Sequence, residues 1–305
     1  MRETQLLAEF QANGITHIKQ HEALSRHTTW KVGGTADFYV EPANKTELMN
    51  AMQVIAKNQL PWRVIGRGSN LLVKDGGIRG VVIHLQDAFD YLQIDGTTVI
   101  AGGAYSTILL ASRTAKAGLT GLEFAGGIPG NVGGAVYMNA GAHGSEMSKV
   151  VRDAEILTEK GEWLRLSNEE LHFRYRTTIL QESIRGIVTE ATFTLEEGNA
   201  EQITAALAAF KDRRRKTQPL QYPCAGSVFR NPPGDHAGRL IEAAGLKGYR
   251  IGDAEFSELH GNFIINLGQA KASDILALIA YAQETIAKQF GVNLVPEVEV
   301  IGEDA

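Results

Sequence analysis

Cysteine is nearly missing from this chain: Cys224 stands alone among 305 residues, which excludes an internal disulfide framework and fits a reducing compartment. Long apolar runs are missing as well, and none approaches the roughly 20 residues that span a bilayer. The opening MRETQLLAEFQANG is charged and amphipathic, unlike the apolar centre of a secretory signal. A cytoplasmic protein with no membrane partner is the expectation. Nor is there an excess of positive charge. The formal net charge is −5 and the pI near 5.9, so the field expected of a nucleic-acid binder is absent. The one basic run, Lys211-Asp212-Arg213-Arg214-Arg215-Lys216, is local. The eight histidines are dispersed and no cysteine pair exists, so no metal site is expected. Neither a Gly-x-Ser-x-Gly nucleophile elbow nor a Gly-Lys-Ser/Thr phosphate loop is present.

What is present describes a globular chain with a real core, 44% hydrophobic and 21% charged, long enough for two domains. Asn44 and Glu47 have capping-box spacing, and Leu48, Met52 and Ile55 make one apolar face, which predicts a helix over 44–59. Pro61 restarts the chain into a buried strand, Trp62 to Ile65, followed by strands 81–85 and 97–101. A helix lies between Ser106 and Gly118. Residues 153–158 and 163–166 flank EKGE as a hairpin, Ser167 and Glu170 repeat the capping-box spacing, and 187–195 reads as a strand.

The polar break at 196–201 marks the domain boundary. Beyond it come a helix at 200–216, a Pro-containing loop to 236, and a helix at 237–245. A strand at 263–267 precedes a helix over 273–290, capped by Ser273 and stopped by Gly291, and the last strand covers 294–301. Without strict βαβ alternation the fold class is α+β.

Two glycine-rich loops share one logic. In IGRGSNLLV, residues 65–73, Gly66 and Gly68 permit backbone conformations closed to other residues, and Ser69 and Asn70 add donors. Successive N–H groups there can form an anion-binding nest. The third glycine of a dinucleotide fingerprint is lacking, so this is not a Rossmann loop. The second loop lies in EFAGGIPGNVGGAVYMNAGAHG, residues 123–144. Gly126, Gly127, Gly130, Gly133 and Gly134 let backbone approach a large ligand, and Pro129 stiffens the loop. Two such loops, each tied to a strand, point to a phosphate-bearing cofactor.

With IGRGSNLLVKDGGIRGVVI (65–83) and GLEFAGGIPGNVGGAVYMNAGAHG (121–144), the chain resembles the FAD-binding domain of the vanillyl-alcohol-oxidase (PCMH) type. More narrowly, from about residue 26 to the end it resembles the UDP-N-acetylenolpyruvoylglucosamine reductases, also called UDP-N-acetylmuramate dehydrogenases, in a shorter subclass without the inserted tyrosine loop. The resemblance implies a two-subdomain FAD-binding domain over 1–198, with its core at 34–198 and a division near 80–90. A smaller α+β substrate-binding domain would follow over 199–305. FAD, held without a covalent bond, would lie against Gly66, Arg67, Gly68, Ser69, Asn70 and Leu71. Opposite these would stand Gly126, Gly127, Ile128, Pro129, Gly130, Asn131, Gly133 and Gly134, with Asn139 and Gly141 nearby. From the basic run, Arg214 is assigned to the cofactor's phosphates.

The implied activity belongs to peptidoglycan precursor synthesis. NADPH reduces the flavin, and the flavin then reduces UDP-N-acetylglucosamine enolpyruvate, the two substrates alternating at one site. Hydride would reach C3 and a proton C2. FRYRTT (173–178) resembles the family's arginine motif, placing the carboxylate-holding cation on Arg176 with Tyr175 beside it on the substrate side. CAGSVFRNP (224–232) puts the proton donor on Ser227 and a substrate contact on Asn231. In LVPEVEVIG (294–302), Glu297 follows proline as in the family, although Glu299-Val300 stands where Arg-Phe commonly does. Alternation in a strand puts Glu297 and Glu299 on one side, so periodicity leaves both open. Lys247 matches a lysine suited to the UDP diphosphate, and His260 a family histidine of open role. A monomer is expected, with a weak homo-oligomer as the alternative. The alternatives are an alcohol or hydroxy-acid oxidase on the same FAD fold, and a non-redox nucleotide-binding module.

Overall fold

The computed structural model describes residues 2–305. Capping decides the first predicted helix: Asn44 accepts the Glu47 N–H at 2.9 Å, and Lys45–Lys57 follows with Leu48, Met52 and Ile55 buried. Ser106 likewise precedes Thr107–Lys116, its side chain accepting from the Leu109 amide. Trp62–Val64 pairs in parallel with Ile78–Ile83, Trp62 opposite Val81. With Thr35–Val40 and Ile18–Ala23 these strands form a sheet ordered Ile18–Ala23, Thr35–Val40, Ile78–Ile83, Trp62–Val64. The first two strands carry too little alternation to announce themselves; IKQHEA is mostly polar and mostly uncovered.

The EKGE hairpin forms as Val151–Thr158 against Trp163–Ser167, with Leu157 opposite Trp163. Gly186–Thr194, Thr98–Gly102 and Leu92–Asp95 extend it into a five-stranded antiparallel sheet. Elsewhere the chain departs from expectation. Ser167 and Glu170 make both bonds of a capping box, at 2.9 and 3.3 Å, yet close only a turn; His172 takes a left-handed conformation (φ 45°) that a helix cannot continue through.

The long helix runs Ala272–Phe290 and stops at Gly291 in the left-handed conformation, as expected. Its start is not capped by Ser273. The Asp75 carboxylate instead accepts the Ala272 and Ser273 N–H groups at 2.8 and 3.0 Å. The final strand shrinks to Glu299–Ile301, parallel to Leu71–Val73.

Contacts gather the chain into two compact units, each assembled from three segments. The first comprises residues 1–20, 38–66 and 80–213; the second, residues 21–37, 67–79 and 214–305. This division differs from a single boundary at 198/199 for two physical reasons. Helix Ala200–Thr217 buries Ile203 and Leu207 in the first unit's core beside Leu110, Phe124 and Val132, and a fully buried leucine or isoleucine is worth about 1.5–3 kcal/mol. In the second unit, Trp30 is fully buried against residues 225–298 and donates its indole N–H to the Ile264 carbonyl at 2.7 Å. A further core in the first unit packs Phe10, Phe38 and Trp62 around helix Lys45–Lys57. Among the described residues no helix is long and apolar enough to cross a membrane.

Candidate flavin and substrate site

In the first unit, Gly66 leaves the Trp62–Val64 strand and faces Asn131. A Cβ at Gly66 would stand 2.7 Å from Asn131 Oδ1. That oxygen is buried and has no hydrogen-bond partner, while the Asn131 amide donates to the Ala104 carbonyl. An unpartnered buried acceptor costs on the order of 1–3 kcal/mol, so the position calls for a donor from outside the chain.

The glycine-rich loop is otherwise well used. Gly126 is required by packing, because a Cβ there would lie 2.1 Å from Leu207 Cδ1. The N–H groups of Ile128, Gly130, Val132 and Gly133 all donate to chain carbonyls, Gly133 to Gly103 at 2.8 Å. They are not a nest aimed at phosphate. What the loop offers a ligand is small residues, the acceptor of Asn131, and Gly134, whose missing Cβ would point into open space. Pro129 separates Ile128 from Gly130, whose carbonyl accepts from Thr107 Oγ1 at 3.0 Å. Gly127 closes the short 3₁₀ turn Glu123–Gly127. These features fit a bulky dinucleotide such as FAD.

Asn139 is fully buried in a left-handed conformation (φ 43°). Its amide donates to Glu146 and to the Arg174 carbonyl, both at 3.0 Å, and its oxygen accepts the Ser148 N–H at 2.9 Å. The side chain therefore fixes the Gly141–Ala142/Ser145–Glu146 hairpin and the FRYRTT turn. Arg176 sits in that turn with φ 57°, half-buried, its Nη2 donating to the Gly141 carbonyl at 2.9 Å. The guanidinium lies over the exposed Tyr175 ring, 4.9 Å from its centroid. Gly141 has no room for a Cβ, which would meet Ser145 O at 2.7 Å.

In the second unit, residues 67–71 make the other loop. Gly68 takes φ 61°, and a Cβ there would lie 2.3 Å from the His27 carbonyl; Arg67 is exposed and Ser69 half-buried. Asn70 donates its amide to the Glu297 carbonyl at 3.1 Å and accepts the Glu299 N–H at 2.9 Å, and Leu71 pairs with Glu299. Glu297 in turn donates its N–H to the Val228 carbonyl at 2.7 Å. Asn70, Glu297 and the residue after Ser227 are thus joined in one chain of hydrogen bonds. Because the strand begins only at Glu299, Glu297 lies outside it, and the same-side argument for the two glutamates does not apply.

Arg214 lies half-buried with its Nε on Gln218 at 2.7 Å. Burial lowers the guanidinium's pKa, opposed by Cys224, whose own thiol burial pushes up. Asn231 is exposed and accepts the Ala237 N–H at 3.1 Å, supporting the start of helix Ala237–Ala243. Lys247 Nζ lies 3.3 Å from Glu242. Burial holds His260 below the ordinary imidazole range, with the Lys247 charge adding to the effect; its Nδ1 accepts the Asn262 N–H at 3.2 Å. The proton of the neutral ring is therefore on Nε2. The one His-x₃-His spacing, His17 and His21, does not fall on a helix: His17 precedes the strand Ile18–Ala23 and His21 takes φ 52°, so the spacing does not set the two side chains on one helical face.

Sequence reasoning passed over Asp75 and Asn262. A turn signal in Lys74-Asp75-Gly76-Gly77 could have marked the first, but nothing local announces that its partner lies 197 residues away. Asn262, two residues after His260, gives no periodic signal at all.

The family "FAD binding domain" matches residues 36–167, and the family "UDP-N-acetylenolpyruvoylglucosamine reductase, C-terminal domain" matches residues 218–301. The chain is 55% identical over 294 residues to the UDP-N-acetylenolpyruvoylglucosamine reductase of Anoxybacillus flavithermus, covering 96% of each chain. Among solved structures it is similar to the UDP-N-acetylenolpyruvylglucosamine reductase of Thermus caldophilus, with a TM-score of 0.82 and 40% identity over 93% of this chain and 98% of that one. Berberine bridge enzyme from Eschscholzia californica shares the fold over 64% of this chain and 44% of its own, at TM-score 0.51 and 17% identity.

Proposed function

The chain belongs to the UDP-N-acetylenolpyruvoylglucosamine reductases, FAD-dependent oxidoreductases of peptidoglycan precursor synthesis, and from that premise we propose that it reduces UDP-N-acetylglucosamine enolpyruvate to UDP-N-acetylmuramate with NADPH. FAD, when bound, supplies the two-electron chemistry, taking hydride from NADPH and giving it to C3 of the enolpyruvyl group. Gly66, Asn131 and Gly134 are the groups we assign to holding it.

Arg176 holds the substrate carboxylate. Its bond to Gly141 and its strained turn fix the guanidinium before substrate arrives, so charge building on the carboxylate meets an already oriented cation. Ser227 gives its hydroxyl proton to C2 as hydride reaches C3. The serine is a weak acid, but the centre it quenches is strongly basic, and Glu297 returns a proton to it from solvent. The double bond thereby gains one hydride and one proton, and NADPH leaves as NADP⁺. Lys247 and Asn231 serve the UDP diphosphate and sugar, and neutral His260 offers its Nε2–H as a donor. Arg214 is assigned to the phosphates.

The observation that most supports this reading is the 2.7 Å bond from the Glu297 N–H to the Val228 carbonyl, which sets acid and partner on adjacent segments of one unit. The test is anaerobic. The holoenzyme's flavin is reduced with NADPH and UDP-N-acetylglucosamine enolpyruvate is then added. Reoxidation with formation of the lactyl ether is expected, and a flavin that stays reduced would overturn the proposal.

A further inference from the structure

Asn262 is 3% exposed and every polar group it carries has a partner. Three of its four bonds fall on the two residues that follow Ser227. Its carbonyl accepts the Val228 N–H at 2.9 Å. Its side-chain oxygen accepts the Phe229 N–H at 2.9 Å, and its side-chain amide donates to the Phe229 carbonyl at 2.8 Å. The fourth, from its own N–H, goes to His260 Nδ1.

The carboxamide therefore does for Phe229 what a neighbouring strand would do, meeting donor with acceptor and acceptor with donor. On the opposite side the same segment is held by the Glu297 N–H on Val228 and by the Arg230 N–H on the Val295 carbonyl at 2.9 Å. Immediately before Ser227, Gly226 takes φ 77° and a Cβ there would meet nothing within 4 Å. Directly ahead of the serine the chain has open space at Gly226, and behind the serine it is clamped. The clamp is what fixes the serine's Cα.

We infer that Asn262 is a positioning residue for proton delivery, acting through the backbone of Val228 and Phe229 on the Ser227 hydroxyl. The inference rests on the reading of Ser227 as proton donor. Only an amide can perform it: an aspartate of the same shape would set a carboxylate oxygen against the Phe229 carbonyl, two acceptors facing each other without a proton. Proton transfer is sensitive to such displacement, since a shift of about 1 Å in a reacting group costs on the order of 10²-fold in rate.

The experiment uses holoenzyme carrying Asn262→Asp or Asn262→Ala, each in the wild-type and the Ser227→Ala background. Rapid-mixing absorbance follows flavin reduction by NADPH and reoxidation by UDP-N-acetylglucosamine enolpyruvate separately. In the wild-type background, reoxidation should slow by roughly 10- to 100-fold with KM for that substrate nearly unchanged and flavin reduction unaffected. In the Ser227→Ala background the same change should cost less than about twofold, because the two residues act as one unit. Equal losses in both backgrounds, or in both half-reactions, would make Asn262 a general structural residue and overturn the inference. Reoxidation that survives Ser227→Ala undiminished would instead sink the proton-donor reading on which it rests. Asn262→Ala, which buries no charge, carries the test if the aspartate variant fails to retain flavin.

Discussion

Replacing Asp75 by alanine should weaken the second unit by about 2 kcal/mol. The carboxylate accepts two backbone N–H groups at the start of helix Ala272–Phe290, from Ala272 at 2.8 Å and Ser273 at 3.0 Å. Loss of a cap costs typically about 1 and up to about 2 kcal/mol, and bonds to a charged acceptor lie near the upper end. Ala272 is fully buried, so water cannot easily replace the lost partner there; Ser273 is exposed and can be rehydrated. Asp75→Asn keeps one acceptor and should lose about half as much. In a chain of 305 residues about 2 kcal/mol lowers the melting temperature by roughly 3 °C.

The pH dependence carries its own sign. Burial would raise the Asp75 pKa, but the bonds from Ser273 and Ala272 and the Lys271 charge outweigh it, leaving the carboxylate below its ordinary value of 3.8. Its stabilisation is therefore complete above that value and is lost as pH falls through the lowered one. Thermal melts of wild type and Asp75→Ala, with matched FAD, should differ fully at pH 7 and converge in acid. A variant within about 0.5 kcal/mol of wild type at pH 7 would refute the argument, because that is the range of a surface change with no role.

Gly66→Ala should loosen FAD retention by roughly tenfold or more, since the added carbon must displace Asn131 Oδ1 from 2.7 Å and about 1.4 kcal/mol of strain suffices; equilibrium dialysis of the flavin checks it. Arg176→Lys should cut turnover on the order of 100-fold while leaving flavin reduction by NADPH fast, because a lysine cannot reproduce an oriented planar fork; steady-state and single-turnover rates decide. His260, held neutral by burial, contributes stability that is present above its unfolded pKa of 6.5 and declines as pH falls below it. His260→Gln should flatten that decline, measured by urea melts between pH 5 and 8 (roughly the range in which imidazole titrates).

Local chemistry was legible wherever the signal and its cause lie within a few residues. Asn44 with Glu47, Ser106 ahead of Thr107–Lys116, and Gly291 at a helix end all behave as their spacing dictates. The roles proposed for Arg176, Ser227 and Glu297 come from the resemblance, carried over residue by residue, and from no local signal. Unreadable were features whose partners are remote. Nothing near Gly126 reveals that its missing Cβ makes room for Leu207, and nothing in NVGG says that the Val132 and Gly133 amides are already spent on chain carbonyls. Glycine density reads as space for a ligand; at Gly126 it is space for the protein's own helix. Ile203 and Leu207, by the same token, attach their helix to the first unit although the polar break before it looks like a boundary.

The parallel pairing of Leu71–Val73 with Glu299–Ile301 has a consequence for how the molecule is made. The Asn70–Glu297 bond spans 227 residues, and all of 80–213 lies between its ends. A ribosome therefore delivers the first unit's sequence in full while the 67–71 loop, proposed to hold flavin, still lacks the strand that pairs beside it. Loop closure over such a distance is cheap in free energy, because each doubling of length adds only about 0.6 kcal/mol, but it is slow. Cofactor capture should accordingly come late in biogenesis. A defect in the last strand would surface first as apoprotein and lost yield, with the earlier unit already folded.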